Sequence, residues 1–268
     1  RSTLFPYTTL FRSTNLNKLI RAAALVSVIF PVIFSVLLRD GTLEDLASTS
    51  RKESGFLILI PLSVILSAYL FFNEHDNGTL KNLLCIPVSR RNLAFAKTGI
   101  LLLFSLAYET VGFLTCLVLS IIKGASVIGW ALQLRLALAA GVLLWAVALP
   151  CIILVIWCNK SYIISVIITF FYTLSGYALH VSSAVMMKPL GFHLSTFIPV
   201  PVIFRWLYQY NVPIGPMQTA FYEEFRPYFI STPMVFAILL AEAALCIILI
   251  ARISRRQEIE GESVCLPS

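Results

Sequence analysis

An all-α, polytopic integral membrane fold with six transmembrane helices is predicted by composition, run length and charge placement. Of the 268 residues, 59% are hydrophobic and 12% charged. Soluble domains hold about 45–50% apolar and about 25% charged residues. The mean hydropathy is +0.88. The excess apolar residues occur in unbroken runs, each near the ~20 residues that a helix needs to cross a bilayer. Helices suit that solvent because each satisfies its own backbone hydrogen bonds. The net charge of +7 is spread in short basic clusters beside the apolar runs. That pattern points to a lipid bilayer rather than a nucleic acid as the partner surface.

Residues 1–13, RSTLFPYTTLFRS, read like a translated sequencing adaptor. They have neither the run length of a span nor the pattern of a signal peptide. They are taken as non-native, leaving 14–268 as a single six-span domain. The expected spans cover about 22–38, 55–72, 98–122, 134–157, 162–185 and 233–251. Pro31 and Pro150 should kink theirs, which membrane helices tolerate. Ala137 and Gly141 form a small-xxx-small pair suited to close helix contact.

Six spans put both termini on one side, and the positive-inside rule selects it. Lys18, Arg21, Lys81, Arg90, Arg91, Lys97, Lys160, Arg252, Arg255 and Arg256 fall together. Arg39, Arg51, Lys52, Lys123, Arg135, Lys188, Arg205 and Arg226 fall opposite, three of them in a long loop that weighs less in the rule. The termini and the loop 73–97 are therefore expected in the cytoplasm. A long exterior segment, Met187 to Thr232, precedes the last span. Its Phe197, Phe204, Trp206, Leu207, Tyr208 and Tyr210 suit a membrane interface or a re-entrant helix, or equally a plain structured loop.

The loop from Glu74 to Lys97 reads EHDNGTLKNLLCIPVSRRNLAFAK. Asn77-Gly78 turns the chain and Thr79 can cap a short helix. Leu80, Leu83 and Leu84 then share one face. Pro87 stops that helix and Ser89 can cap the next. The result is a short cytoplasmic amphipathic helix whose leucine face can dock into a groove on a partner.

Glu74, Gly78-Thr79, Leu83-Leu84, Pro87, Ser89-Arg90 and Lys97, placed between spans two and three, resemble the ABC-2-type transporter permeases. Within that family the pattern is similar to permeases of bacitracin and lantibiotic export or immunity systems. The resemblance implies a permease of the bacterial plasma membrane that pairs with a separate ATP-binding subunit. It implies a homodimer, or a heterodimer with a similar permease, exporting or giving immunity to an amphipathic peptide antibiotic. Thr79 to Ile86 would be the coupling helix, with Thr79, Leu80, Leu83, Leu84 and Pro87 shaping it. Glu74, Arg90 and Arg91 would make polar contacts with the ATPase. ATP and Mg would bind on that partner. The chain contains no G-x-x-x-x-G-K-[ST] phosphate loop, so no cofactor and no enzymatic role are expected here.

Glu109 and Glu242 interrupt apolar runs near mid-span. A carboxylate at that depth costs at least a few kcal/mol and usually faces a cavity or a partner. Both are candidates to line the transport path. The plainer account is a structural bond between helices, to a hydroxyl or to Arg135. A proton-coupled transporter using these two glutamates is the competing function. A membrane enzyme finds no support: Glu223-Glu224 and Arg226 only faintly match a paired-glutamate protease motif, and His180 and His193 lack partners at the required spacing. The six cysteines show no metal-site spacing and suit apolar packing.

Overall fold

The computed structural model describes residues 6–38, 41–76, 90–158, 162–189, 191, 194–211, 213 and 216–263. Among them six helices are long and apolar enough to cross a membrane: Lys18–Leu37, Leu43–Phe71, Arg91–Ile122, Trp130–Cys158, Ile163–Val181 and Thr232–Ser254. No strand occurs among the described residues. The protein is an all-α polytopic membrane protein.

In chain order the helices are α1 (Pro6–Leu37), α2 (Leu43–Ser54), α3 (Ile60–Asp76), α4 (Arg90–Ile122), α5 (Trp130–Cys158) and α6 (Tyr162–Val181). Then come α7 (Ser183–Met186), α8 (Leu194–Phe197), α9 (Pro199–Gln209), α10 (Pro216–Phe225) and α11 (Thr232–Ser263). α2 and α3 are one span, joined by a π-helical turn at Gly55–Leu59.

α5 is the axle. It packs against α3, α4, α6, α9 and α11, and Leu143 to Leu149 are buried without a break. The Ala137–Gly141 pair marks its approach to α4. A Cβ on Gly141 would lie 3.1 Å from the Leu106 Cα, and the Ser105 hydroxyl donates to the Gly141 carbonyl at 2.7 Å. Pro31 and Pro150 both lie inside helices that continue past them.

The second span begins at Leu43, well before the apolar run at Gly55. Residues 43–54, expected in an exterior loop with Arg51 and Lys52, form α2 instead. Its start is fixed by a capping box. The Asp45 N–H donates to the Thr42 hydroxyl, and the Thr42 N–H donates to the Asp45 carboxylate at 2.8 Å. Glu44 and Asp45 in the first turn and Arg51 and Lys52 in the last complement the helix dipole.

The segment before the last span is largely helical rather than a plain loop, and α9 is packed into the bundle. Pro199 to Leu207 are all buried, Arg205 included, so α9 plugs between α6, α5 and α11. Trp206 Nε1 donates to the Thr232 hydroxyl at 3.1 Å, and the Tyr210 and Thr232 hydroxyls are 2.8 Å apart. These bonds tie the plug to the start of the last span. Burial pushes the Tyr208 hydroxyl up to about 12, which keeps it neutral as a hydrogen-bonding group. Arg205 donates from Nη2 to the Val185 carbonyl at 2.9 Å, and burial lowers its pKa.

Candidate functional site

α2 carries Ser50, Arg51, Ser54 and Gly55 on the face that an i, i+4 spacing aligns. That face meets α4 and α5. Arg51, 4% exposed, donates from Nη2 to the Gln133 side-chain oxygen at 2.8 Å and from Nη1 to its backbone carbonyl at 3.3 Å. The Ser54 and Tyr108 hydroxyls are 2.8 Å apart. Ser50 of α2 and Cys116 of α4 are both buried. Glu109, 5% exposed, faces the charge of Arg51. Its carboxylate fills the notch that Gly55 leaves open, since a Cβ there would lie 2.7 Å from Glu109 Oε1.

These groups form a polar clamp inside the bundle. Burying polar groups is costly unless they find partners. The two hydrogen bonds from Arg51 to Gln133 fix its guanidinium on α5, with Glu109 of α4 within electrostatic reach. Arg135, one of the partners offered for Glu109, is exposed; Arg51 is the basic residue within electrostatic reach of Glu109. Glu242 lies elsewhere, half-buried on α11, with Oε1 lacking a hydrogen-bond partner among the described residues.

Beside the clamp runs a half-open apolar groove of about 420 Å³. Leu57, Pro61 and Ile65 of the second span form one wall; Phe170, Thr173 and Tyr177 of α6 stand on the other. Its volume lies within the roughly 300–1,000 Å³ of ligand pockets. The Tyr177 ring of the groove wall is 5.1 Å from the His180 ring, and His180 Nε2 and the Tyr208 hydroxyl are 2.7 Å apart. The Lys52 ammonium stands 5.5 Å from the Tyr208 ring and 3.2 Å from Glu53. The groove lining is predominantly apolar, with Thr169, Thr173 and Tyr177 as its hydroxyl-bearing members.

The loop expected to couple to an ATPase is only bracketed. Thr79, Leu80, Leu83, Leu84 and Pro87 lie outside the described residues. Glu74 is in the last turns of α3 and Arg90 opens α4, both with side chains outside the description; Arg91 is exposed. The segment 77–89 thus joins the second and third spans directly.

Residues 13–176 match the family model described as ABC-2 family transporter protein. The chain belongs to the ABC-2 transporter family. Over 116 residues it is 33% identical to the bacitracin transport permease protein BCRB of Bacillus licheniformis, covering 42% of this chain and 55% of that one. The chain thus spans about half the length of that curated relative. No solved structure matches. This ABC-2 family member is accordingly a multi-pass membrane protein. The polar clamp and the groove both lie largely within the stretch that the family model matches.

Arg51, Gly55, Tyr108 and Gln133 are the members of the site that sequence reasoning misses. A signal for α2 was present in the Thr42-x-x-Asp45 capping box. Nothing local marks Gln133 as the acceptor for an arginine 82 residues away.

Proposed function

We propose that this chain is the permease half of an ATP-driven exporter that removes, or gives immunity to, an amphipathic peptide antibiotic. The observation that carries the reading is the 33% identity to a bacitracin transport permease. The largely apolar groove between the second span and α6 suits the apolar part of such a substrate. In this reading the permease sits in the bacterial plasma membrane with both termini in the cytoplasm. It pairs with a second copy or a similar permease, and ATP and Mg bind on the ATPase.

Residues 77–89 are the element of this reading that meets the ATPase. The leucine face of Leu80, Leu83 and Leu84 docks on the ATPase. Thr79 and Pro87 set the ends of the helix, and Glu74, Arg90 and Arg91 supply polar contacts. Closure of the ATPase then pulls on α3 and α4 together. Co-purification with a co-expressed ABC ATPase subunit from the same genome tests the reading. Wild type should retain the ATPase, and Leu83→Asp/Leu84→Asp should lose it while staying in the membrane. A wild-type chain that retains no ATPase would remove the main support for the reading. A complex that forms but leaves bacitracin susceptibility unchanged would refute the substrate class.

A further inference from the structure

The second span is built in two parts that differ in what holds them. α2 is fixed by directional polar bonds: Arg51 to Gln133 and Ser54 to Tyr108. α3 is packed by apolar contact against α5 and α6. Between them the backbone opens into the π turn Gly55–Leu59. Single π turns inside α-helices are rare and recur at functional sites.

The residues at its two ends explain the turn. Gly55 has no Cβ and weakens the helical register. Its empty side-chain volume admits the Glu109 carboxylate and the Leu144 methyl, at 2.7 and 2.8 Å from the missing Cβ. Pro61 has no N–H, so a carbonyl one turn back, at Phe56 or Leu57, loses its helical donor. Both defects fall within seven residues of one span. The turn is also a wall of the groove: Leu57 lies inside it, and Pro61 and Ile65 continue the same stripe.

We infer that the π turn is a joint about which α3 rotates during transport, while Glu109 and Arg51 act as positioning residues that hold α2 still. Passing the extra residue along the helix turns α3 by about 100° relative to α2. That motion swings the Leu57–Pro61–Ile65 stripe out of the groove and changes its width. The stroke reaches α3 through its far end at Asp76, where the segment 77–89 begins. This last link rests on the proposed pairing with an ATPase; the joint itself does not.

Hydrogen exchange on the purified full chain in lipid nanodiscs, without ATPase, tests the joint. Amides of residues 56–60 should exchange about tenfold faster than those of 62–68. Equal rates would overturn the joint. Pro61→Ala restores the missing donor and should slow exchange at 56–60 about tenfold, whereas unchanged rates would overturn the assignment of the turn to Pro61. Glu109→Gln should raise exchange across 45–54 and leave 62–68 as they were. A rise spread evenly over the chain would instead make Glu109 a general packing residue. With the ATPase bound, Pro61→Ala should keep ATP turnover and lose most transport, and full transport with slowed exchange would overturn the stroke. Failure of the wild-type chain to bind the ATPase would count against the proposed function and leave the exchange result to decide the joint.

Discussion

The second and fourth spans cross the same bundle at the same length, 29 residues each, yet they are held in opposite ways. α5 is apolar from Leu136 to its end, is buried by neighbours on nearly every side, and runs through Pro150 without interruption. The second span is polar in its first half and broken by a π turn at Gly55–Leu59. Apolar packing is non-directional and tolerates small shifts. Polar bonds in a low-dielectric interior are lost steeply when their geometry changes. The contrast teaches that this bundle keeps a fixed axle in α5 and puts its register-specific contacts on α2.

The largest break in that comparison should come from Arg51→Met. It leaves the buried Gln133 side chain without its partner and removes the basic group within electrostatic reach of Glu109, at about 1–3 kcal/mol, and should lower the folded fraction in detergent. Adding Glu109→Leu should recover much of that loss, because the two sites are coupled. An additive double variant would mean that the charges do not act on each other. Next, Gly141→Ala forces a Cβ to within 3.1 Å of the Leu106 backbone and should cost about 1–3 kcal/mol as overpacking. It should lower thermal stability while transport per folded molecule stays near wild type, as befits an axle. Gly55→Ala meets only side-chain ends, Glu109 Oε1 and Leu144 Cδ1. Its stability loss should be smaller than that of Gly141→Ala, and its transport loss larger. Tyr108→Phe removes one buried bond to Ser54 and should cost about 1 kcal/mol, read as a modest drop in melting temperature.

The comparison also shows which parts of the site were legible in the sequence. The apolar runs announced α5 and α11 because lipid imposes a length on any segment that crosses it. They hid α2, whose Arg51, Lys52 and Glu53 look like loop residues to any scale that counts hydrophobicity alone. The capping box at Thr42 and Asp45 and the charges matched to the helix dipole were local, readable signals for a helix there. Glu109 stood out because an acid in an apolar run is expensive, but its partner did not. Arg135, closer in sequence, points outward, and Arg51 reaches inward because α2 continues the second span. α9 was misleading for a similar reason. Its aromatics suit an interface, but Gly176 lets Phe56 and Val200 come within contact of α6, and Phe204 stacks on His180 at 3.9 Å, so the helix is drawn into the bundle.

The sequence by itself determined the solvent, the helical class, the number of crossings and the place of the connecting loop between the second and third spans. These follow from composition and run length, which act locally and need no partner to be read. Only the tertiary structure decided which polar residues meet. The pairing of Arg51 with Gln133, the seating of Glu109 against Gly55 and the burial of α9 each join residues far apart in the chain. Their energy depends on distance and direction, and a linear sequence carries neither.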